Sequence, residues 1–448
     1  MTQEVDISTD VSTIKGHQDS KVSKKELAAL YTKTTASAMA GGLVSPFVGL
    51  IAVDMGSKTS ILAWIQSVSN LLSTLLNPFF GKLSDLIGRR LPFVIISSLF
   101  WILPYIFLHW IVNPFFIIVI TAAVNILISL GTPAWIALQN SIFPPKIRAK
   151  LAGNILIYDS IGRLITLLLT GLLITLALDD TKVQQYIWIP TVIALGISVV
   201  SIIPLLTIKE PSKRRKADIN AEVVKVEKFK ECLKNKPFRK FFSISMIHSF
   251  FFAFTWPLIP VVLRHEDFLN GTVLDVSLFN VIYAITAILF LNLGGKLSDK
   301  FGRTKLIFLN RFVIVFFPLT YLLVTEMWQM LVGIFIVSSI STLGLPSLTA
   351  YLFDLIPEKS GGTYIGLFNM GNGIIQFFGS LTCGYVVDAL ALSQGYRLAV
   401  IIALAISAGG RFLTSFLYLL LKEATKFPSS FNQYFRRNRQ RKVMEPLP

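Results

Sequence analysis

Residues 81–89 read GKLSDLIGR, and residues 295–303 read GKLSDKFGR. Seven of the nine positions are identical, at an offset of 214. Each copy sits in a short basic connection between two long apolar runs, where greasy helices cannot produce the match by composition alone. Working outward, other landmarks keep nearly the same interval. Pro46 pairs with Pro260 and Gln66 with Asn280 at 214; Gly131, Pro133, Pro144, Lys146 and Gly153 pair with Gly344, Pro346, Pro357, Lys359 and Gly366 at 213. Lys209-Glu210 and Lys422-Glu423 close the series, also at 213. The chain is an internal duplication.

What is duplicated is a set of membrane spans. A helix crossing the hydrocarbon core needs about 20 mostly apolar residues. Twelve segments qualify, near residues 34–53, 59–80, 91–110, 115–139, 151–178 and 187–208, then 241–263, 276–294, 306–325, 327–353, 363–387 and 398–421. Their length predicts helices rather than the alternating strands of about 10 residues that build a barrel. Charged residues make up 15% of the chain, well under the roughly 25% usual for a soluble domain. The polar start, Met1 to Leu30, lacks the apolar core of a cleavable signal. The fold class is therefore an all-α membrane protein, twelve transmembrane helices in two pseudo-symmetric halves of six. The expected division is a tail (residues 1–29), a first half (30–208), a basic linker (209–240), a second half (241–422) and a basic tail (423–448).

The net charge of +17 alternates by side. One side holds Lys15, Lys21, Lys24, Lys25 and Lys33, then Lys82, Arg89 and Arg90, then Lys146, Arg148 and Lys150. It also holds the linker with Lys213-Arg214-Arg215-Lys216, the loop from Lys296 to Lys305, Lys359 and the last tail. The other side holds only Lys58, Lys182, Arg264 and Arg397. Because cytoplasmic loops are rich in Lys and Arg, both termini and the linker are expected in the cytoplasm of a cell-membrane protein. Charge placed this way argues against a nucleic-acid partner. The expected partners are the lipid bilayer and a small-molecule solute, and a monomer is expected. No metal spacing, P-loop or nucleophile elbow occurs, so neither a cofactor nor an enzymatic activity is expected.

Two six-helix halves, a basic central loop and the G-K-L-S-D-x-x-G-R connection in both copies resemble the major facilitator superfamily over nearly the whole chain, about Ala28 to Lys422. The resemblance implies a secondary transporter working by alternating access around a midplane site. It also implies that the loop motif is a cytoplasmic gate. Its members here are Gly81, Lys82, Asp85, Gly88, Arg89 and Arg90, with Gly295, Lys296, Asp299, Gly302 and Arg303. By that likeness Asp85 faces the start of helix eleven near Gly361-Gly362-Thr363, and Asp299 faces the start of helix five; Arg89 and Arg303 brace the contacts.

The likeness further implies a cavity lined by helices one, two, four, five, seven, eight, ten and eleven, and the polar residues fit. On the second span Gln66, Asn70, Ser73 and Asn77 share one face. On the fifth, Asp159, Arg163, Thr166 and Thr170 repeat that spacing, and on the eleventh Asn369, Asn372 and Gln376 share a face. Asn280, the counterpart of Gln66, and Tyr283 join them, as does Trp256 beside the bend expected at Pro257 and Pro260. Asp159 is the one carboxylate deep in a span, four residues from Arg163, with Tyr158 and Asn154 beside it. Intramembrane charges of this kind mark solute or proton pathways; the alternative is a self-neutralising structural pair. Asp54, Glu326 and Asp388 fall at outer ends and read as merely exposed. Arg411, deep in the twelfth span, is expected to pair between helices, with Asp299 or with backbone carbonyls.

The function read from these residues is secondary active transport of a small solute, coupled to an ion, the proton being favoured. A membrane sensor built on the same fold is the alternative, and its short cytoplasmic segments argue against it. Many proton-driven drug exporters carry G-x-x-x-G-P-x-x-G-G in helix five; here Gly153 to Gly171 contains no proline.

Overall fold

The computed structural model describes residues 24–142, 148–208, 226–356 and 361–423. Readings that rest on the two tails, on Lys213–Lys216, on Lys359 and on the side chain of Asp299 lie outside what is described. All regular structure among the described residues is helical. The first six spans are α1 (Lys25–Asp54), α2 (Thr59–Ile87), α3 (Leu91–Trp110), α4 (Phe115–Ile142), α5 (Arg148–Leu172) and α6 (Trp188–Thr207). After a short amphipathic helix, Val226–Lys234, come α7 (Lys236–Arg264), α8 (Val273–Phe301), α9 (Arg303–Leu323), α10 (Met327–Leu355), α11 (Gly361–Gln394) and α12 (Tyr396–Leu420). Eleven of the twelve are apolar enough along their length to cross a membrane. The exception is α2, 29 residues long, whose Gln66, Asn70, Ser73 and Asn77 face dilutes its apolar content.

By contacts the chain forms two compact units: residues up to 51 with 75–221, and residues 52–74 with 222–448. The outer ends of α1 and α2 thus cluster with the second unit.

The same packing is built once in each unit. A Cβ added to Gly131 of α4 meets Ser97 Cβ of α3 at 2.4 Å; one added to Gly344 of α10 meets Asn310 Cβ of α9 at 2.5 Å. Both pairs are related by 213. Both outer helices also break at the same place, Trp101-Ile102 in α3 and Ile314-Val315 in α9.

The duplicated turn explains why the interval changes from 214 to 213. In the first unit α2 ends at Ile87 and α3 starts at Leu91; in the second α8 ends at Phe301 and α9 starts at Arg303. Gly88 and Gly302 both take positive φ, 69° and 96°, a region open to glycine at little cost. Arg90 already has helical dihedral angles and its carbonyl accepts from Val94 N, so the second turn is one residue shorter. The structural counterpart of Arg303 is accordingly Arg90, not Arg89 as the ungapped motif suggests. Arg90 Nη1 donates to Ala137 O at 3.0 Å and Arg303 Nη1 to Ala350 O at 2.8 Å, both reaching 47 residues along the chain. Each arginine also pairs with a carboxylate, Arg90 with Asp85 at 3.1 Å and Arg303 with Asp354. Arg89 is exposed. In the second unit Glu423 completes the turn, accepting from Arg303 N at 2.7 Å and Thr304 N at 3.1 Å, where the first amides of α9 lack helical partners.

Candidate functional site

α1 and α5 meet with almost no side chain between them. A Cβ on Gly162 would lie 2.5 Å from Thr35 O, and one on Gly42 would lie 2.3 Å from Thr166 Oγ1. Thr35 and Thr166 can afford this contact because each turns its hydroxyl back onto its own helix, to Tyr31 O and Gly162 O. The close approach presses the polar face of α5 against α1. Tyr158 stacks on Tyr31, centroids 4.4 Å apart and planes 15° apart, and Asn154 Nδ2 donates to Tyr31 Oη at 3.1 Å.

Asp159 and Arg163 follow one turn on. Arg163 Nη2 approaches Asp159 Oδ2 at 3.3 Å, a single contact, with 45% and 38% of the two side chains open. A brace that stabilises a bundle is usually bidentate and closed. This pair is neither, and both groups stay available to a third.

The third charge is Lys33. The sequence reading counts it with the cytoplasmic tail. The structure places it on α1, 8% exposed, with Nζ 4.2 Å from the centroid of Trp135 on α4. Asp159 is the carboxylate whose field reaches it. Lys33 and Trp135 were missed because a lysine close to a basic tail in a strongly cationic chain reads as a topology signal. The available clue was spacing: Tyr31 and Lys33 already lie inside the helical period of α1.

The remaining predicted residues fall in the second unit and make separate contacts. Asn372 Oδ1 accepts from Ser249 Oγ at 2.8 Å, joining α11 to α7. Trp256 lies edge-on to Phe252 at 5.4 Å, Asn280 donates back to Val276 O, and Tyr283 stacks on Phe317 of α9 at 5.6 Å. Gln66, Asn70 and Gln376 are half-buried and Asn369 is exposed.

The outer acids are not merely exposed. Asp54 takes both Nε and Nη2 of Arg264, at 2.7 and 3.2 Å. Asp388 accepts Thr59 N at 2.9 Å and Ser60 N at 3.2 Å, capping α2 from α11. Glu326 begins α10, its amide bonded to Gln329. Sequence could not show the first two, because their partners lie 210 and 329 residues away. Trp64 Nε1 donates to Tyr385 Oη at 3.0 Å on the same side. A cavity of about 500 Å³ opens there, lined by Lys58, His265, Tyr385, Asp388 and Tyr396. Between α5 and α6, hydrogen bonds from Thr181 and then Lys182 hold the Asp179 carboxyl down to about 2. Its contribution to that turn is complete above the ordinary carboxylate range and fades only as pH falls towards 2.

Arg411 is almost fully buried, 2% exposed, and its partners are three carbonyls, one of the two expected arrangements, and the Thr255 hydroxyl. Nε donates to Phe251 O at 3.3 Å and Nη2 to Phe252 O at 2.9 Å, both at the point where α7 breaks before Pro257. Nη1 donates to Ile314 O at 3.0 Å. That carbonyl would bond to residue 318 in an unbroken helix, and Pro318 has no N–H. One guanidinium therefore caps two helix breaks.

The sequence profile of the Major Facilitator Superfamily matches residues 33–268 and again 241–444. An uncharacterized MFS-type transporter of Methanocaldococcus jannaschii is 20% identical over 387 residues, 86% of this chain and 96% of that protein. The multidrug resistance protein MdtG of Proteus mirabilis is 22% identical over 367 residues, 79% of this chain and 86% of that protein. Among solved structures, the nucleoside transporter NupG superposes with a TM-score of 0.71 at 14% identity, covering 88% of this chain and 99% of that one.

Proposed function

The chain belongs to the Major Facilitator Superfamily, and from that premise we propose that it is a secondary active transporter that carries a small solute across the cell membrane by alternating access, coupled to protons. The observation that supports this most is the α1–α5 face, where Asp159 and Arg163 form a single, half-open ion contact beside stacked tyrosines. Alternating access asks each six-helix half to move as a body. The arginine bridges from Arg90 to Ala137 and from Arg303 to Ala350 stiffen each half at the corresponding turn. One relative is an MFS-type transporter by name and another a multidrug resistance protein.

The test is uptake into sealed proteoliposomes from a pooled metabolite extract, with and without an imposed pH gradient. Accumulation of a defined solute that collapses with a protonophore is the expected result. Binding without any accumulation would favour a sensor on the same fold. Orientation is tested separately. With both termini in the cytoplasm, an impermeant maleimide applied to intact cells labels Lys182→Cys and misses Lys213→Cys. The opposite pattern overturns the assignment drawn from the Lys and Arg distribution.

A further inference from the structure

The α1–α5 face holds more positive charge than it neutralises. Lys33 and Arg163 are cations, and Asp159 is the carboxylate that both address: Arg163 through a contact of 3.3 Å, Lys33 through its field. No ion pair of Lys33 within 4 Å occurs among the described residues. Its ammonium lies instead over the Trp135 ring, and a cation–π contact offsets only part of the cost of removing an ammonium from water.

Nor can Lys33 easily snorkel out. Lys33 is nine residues beyond Lys24, where its helix starts; Trp135 is seven residues before Ile142, where α4 ends; Asp159 is eleven residues beyond Arg148, where α5 starts. At a rise of ~1.5 Å per residue, these positions lie about 13, 10 and 16 Å inside their helices. Lys33 is 8% exposed and points at a ring at that depth, not at a headgroup. Beside the charges lies a flat apolar wall, the Tyr31–Tyr158 stack and the Trp135 indole.

We infer that the transported solute is an organic anion, its carboxylate completing the charge balance of Lys33, Arg163 and Asp159 while its apolar part packs on Tyr31, Tyr158 and Trp135. This rests on the transporter reading of the same face and adds the substrate class to it. A neutral solute leaves the surplus charge in place, and a cationic one adds to it.

The test uses the purified full-length protein and three probes that share one ring: benzoate, benzamide and benzylamine, at equal ionic strength. The measurement is thermal stability as each is titrated. Benzoate should raise the melting temperature of the wild type, while benzamide and benzylamine should not. Lys33→Met should weaken the benzoate response about tenfold in concentration, and Lys33→Arg should restore most of it, because a guanidinium also receives carboxylates. The response of Lys33→Met is interpretable because removing a buried cation without a close partner should leave the free protein as stable as the wild type or more so. Stabilisation by benzylamine or benzamide instead of benzoate overturns the anion inference and leaves the transporter reading standing. A benzoate response unchanged in Lys33→Met, or no response to benzoate at all, overturns it too. Failure of the transporter reading shows elsewhere, as the absence of accumulation in proteoliposomes.

Discussion

Arg411→Met should yield a protein that no longer purifies as a stable monodisperse species, while Arg397→Met on the same helix should behave as wild type. Arg411 donates to three carbonyls and to Thr255 Oγ1. Methionine offers no donor: it leaves Phe252 O without its bond, while Phe251 O, Thr255 Oγ1 and Ile314 O keep only their contacts with Ser407 and Phe317. An orphaned buried acceptor costs about 1–3 kcal/mol, and each hydrogen bond to a charged group contributes about 1.5–3 kcal/mol. Against a total stability of about 5–15 kcal/mol, that loss decides whether the second unit folds. Arg397 is exposed near the outer start of α12, and its removal should stay within about 0.5 kcal/mol. Arg411→Lys should fall between, because one ammonium cannot span the Phe251, Phe252 and Ile314 carbonyls together. The check is the melting temperature and elution profile in one detergent. Wild-type stability for Arg411→Met sinks the capping role. The position 213 residues earlier is Ser198, so the first unit carries no arginine at the corresponding place.

The double change Asp159→Asn with Arg163→Gln should fold and stop transporting. It installs on α5 the pair that α11 already carries at Asn372 and Gln376, so the membrane tolerates it by construction. Either change alone is ambiguous, since it strips one charge of its partner. Together they remove one positive and one negative charge and leave the net count unchanged. We expect transport efficiency to fall at least about tenfold, the equivalent of roughly 1.4 kcal/mol of recognition. The pH dependence of uptake should flatten, because Asp159 is the carboxylate deep in a span. Melting temperature and membrane abundance should stay near wild type. A stable double variant with wild-type kinetics at every pH would mean that the pair only holds helices together, and the site assignment falls.

The spans and the duplication were legible because both are written in local composition: uninterrupted apolar runs and a nine-residue motif repeated in charged connections. The Asp159–Arg163 ion contact was legible for a related reason, since a charge at either position stands out in an apolar run. What escaped depends on long-range geometry. Asp54 and Asp388 looked like ordinary outer-end acids until Arg264 and the α2 amides were placed against them. Lys33 escaped through its company, a run of tail lysines that hid where the helix begins. Arg411 lay between: its depth announced a partner, and Pro257 and Pro318 marked the helix breaks that supply one.

The shortened turn at Gly302-Arg303 says how such a repeat drifts. The two copies have slipped out of numerical step by one residue, yet the span of 47 from arginine to carbonyl is the same in each. An antiparallel helix pair keeps its own gauge. A deletion in the corner that joins two helices shifts the counting without shifting the fit, so long as an arginine still stands where the second helix begins. The doubled arginine of the first copy, Arg89-Arg90, shows how this can happen without loss. With two adjacent candidates, dropping one still leaves a hand on the same carbonyl. The quantity the two copies share is a distance along the helix pair, and the letters of the motif follow it.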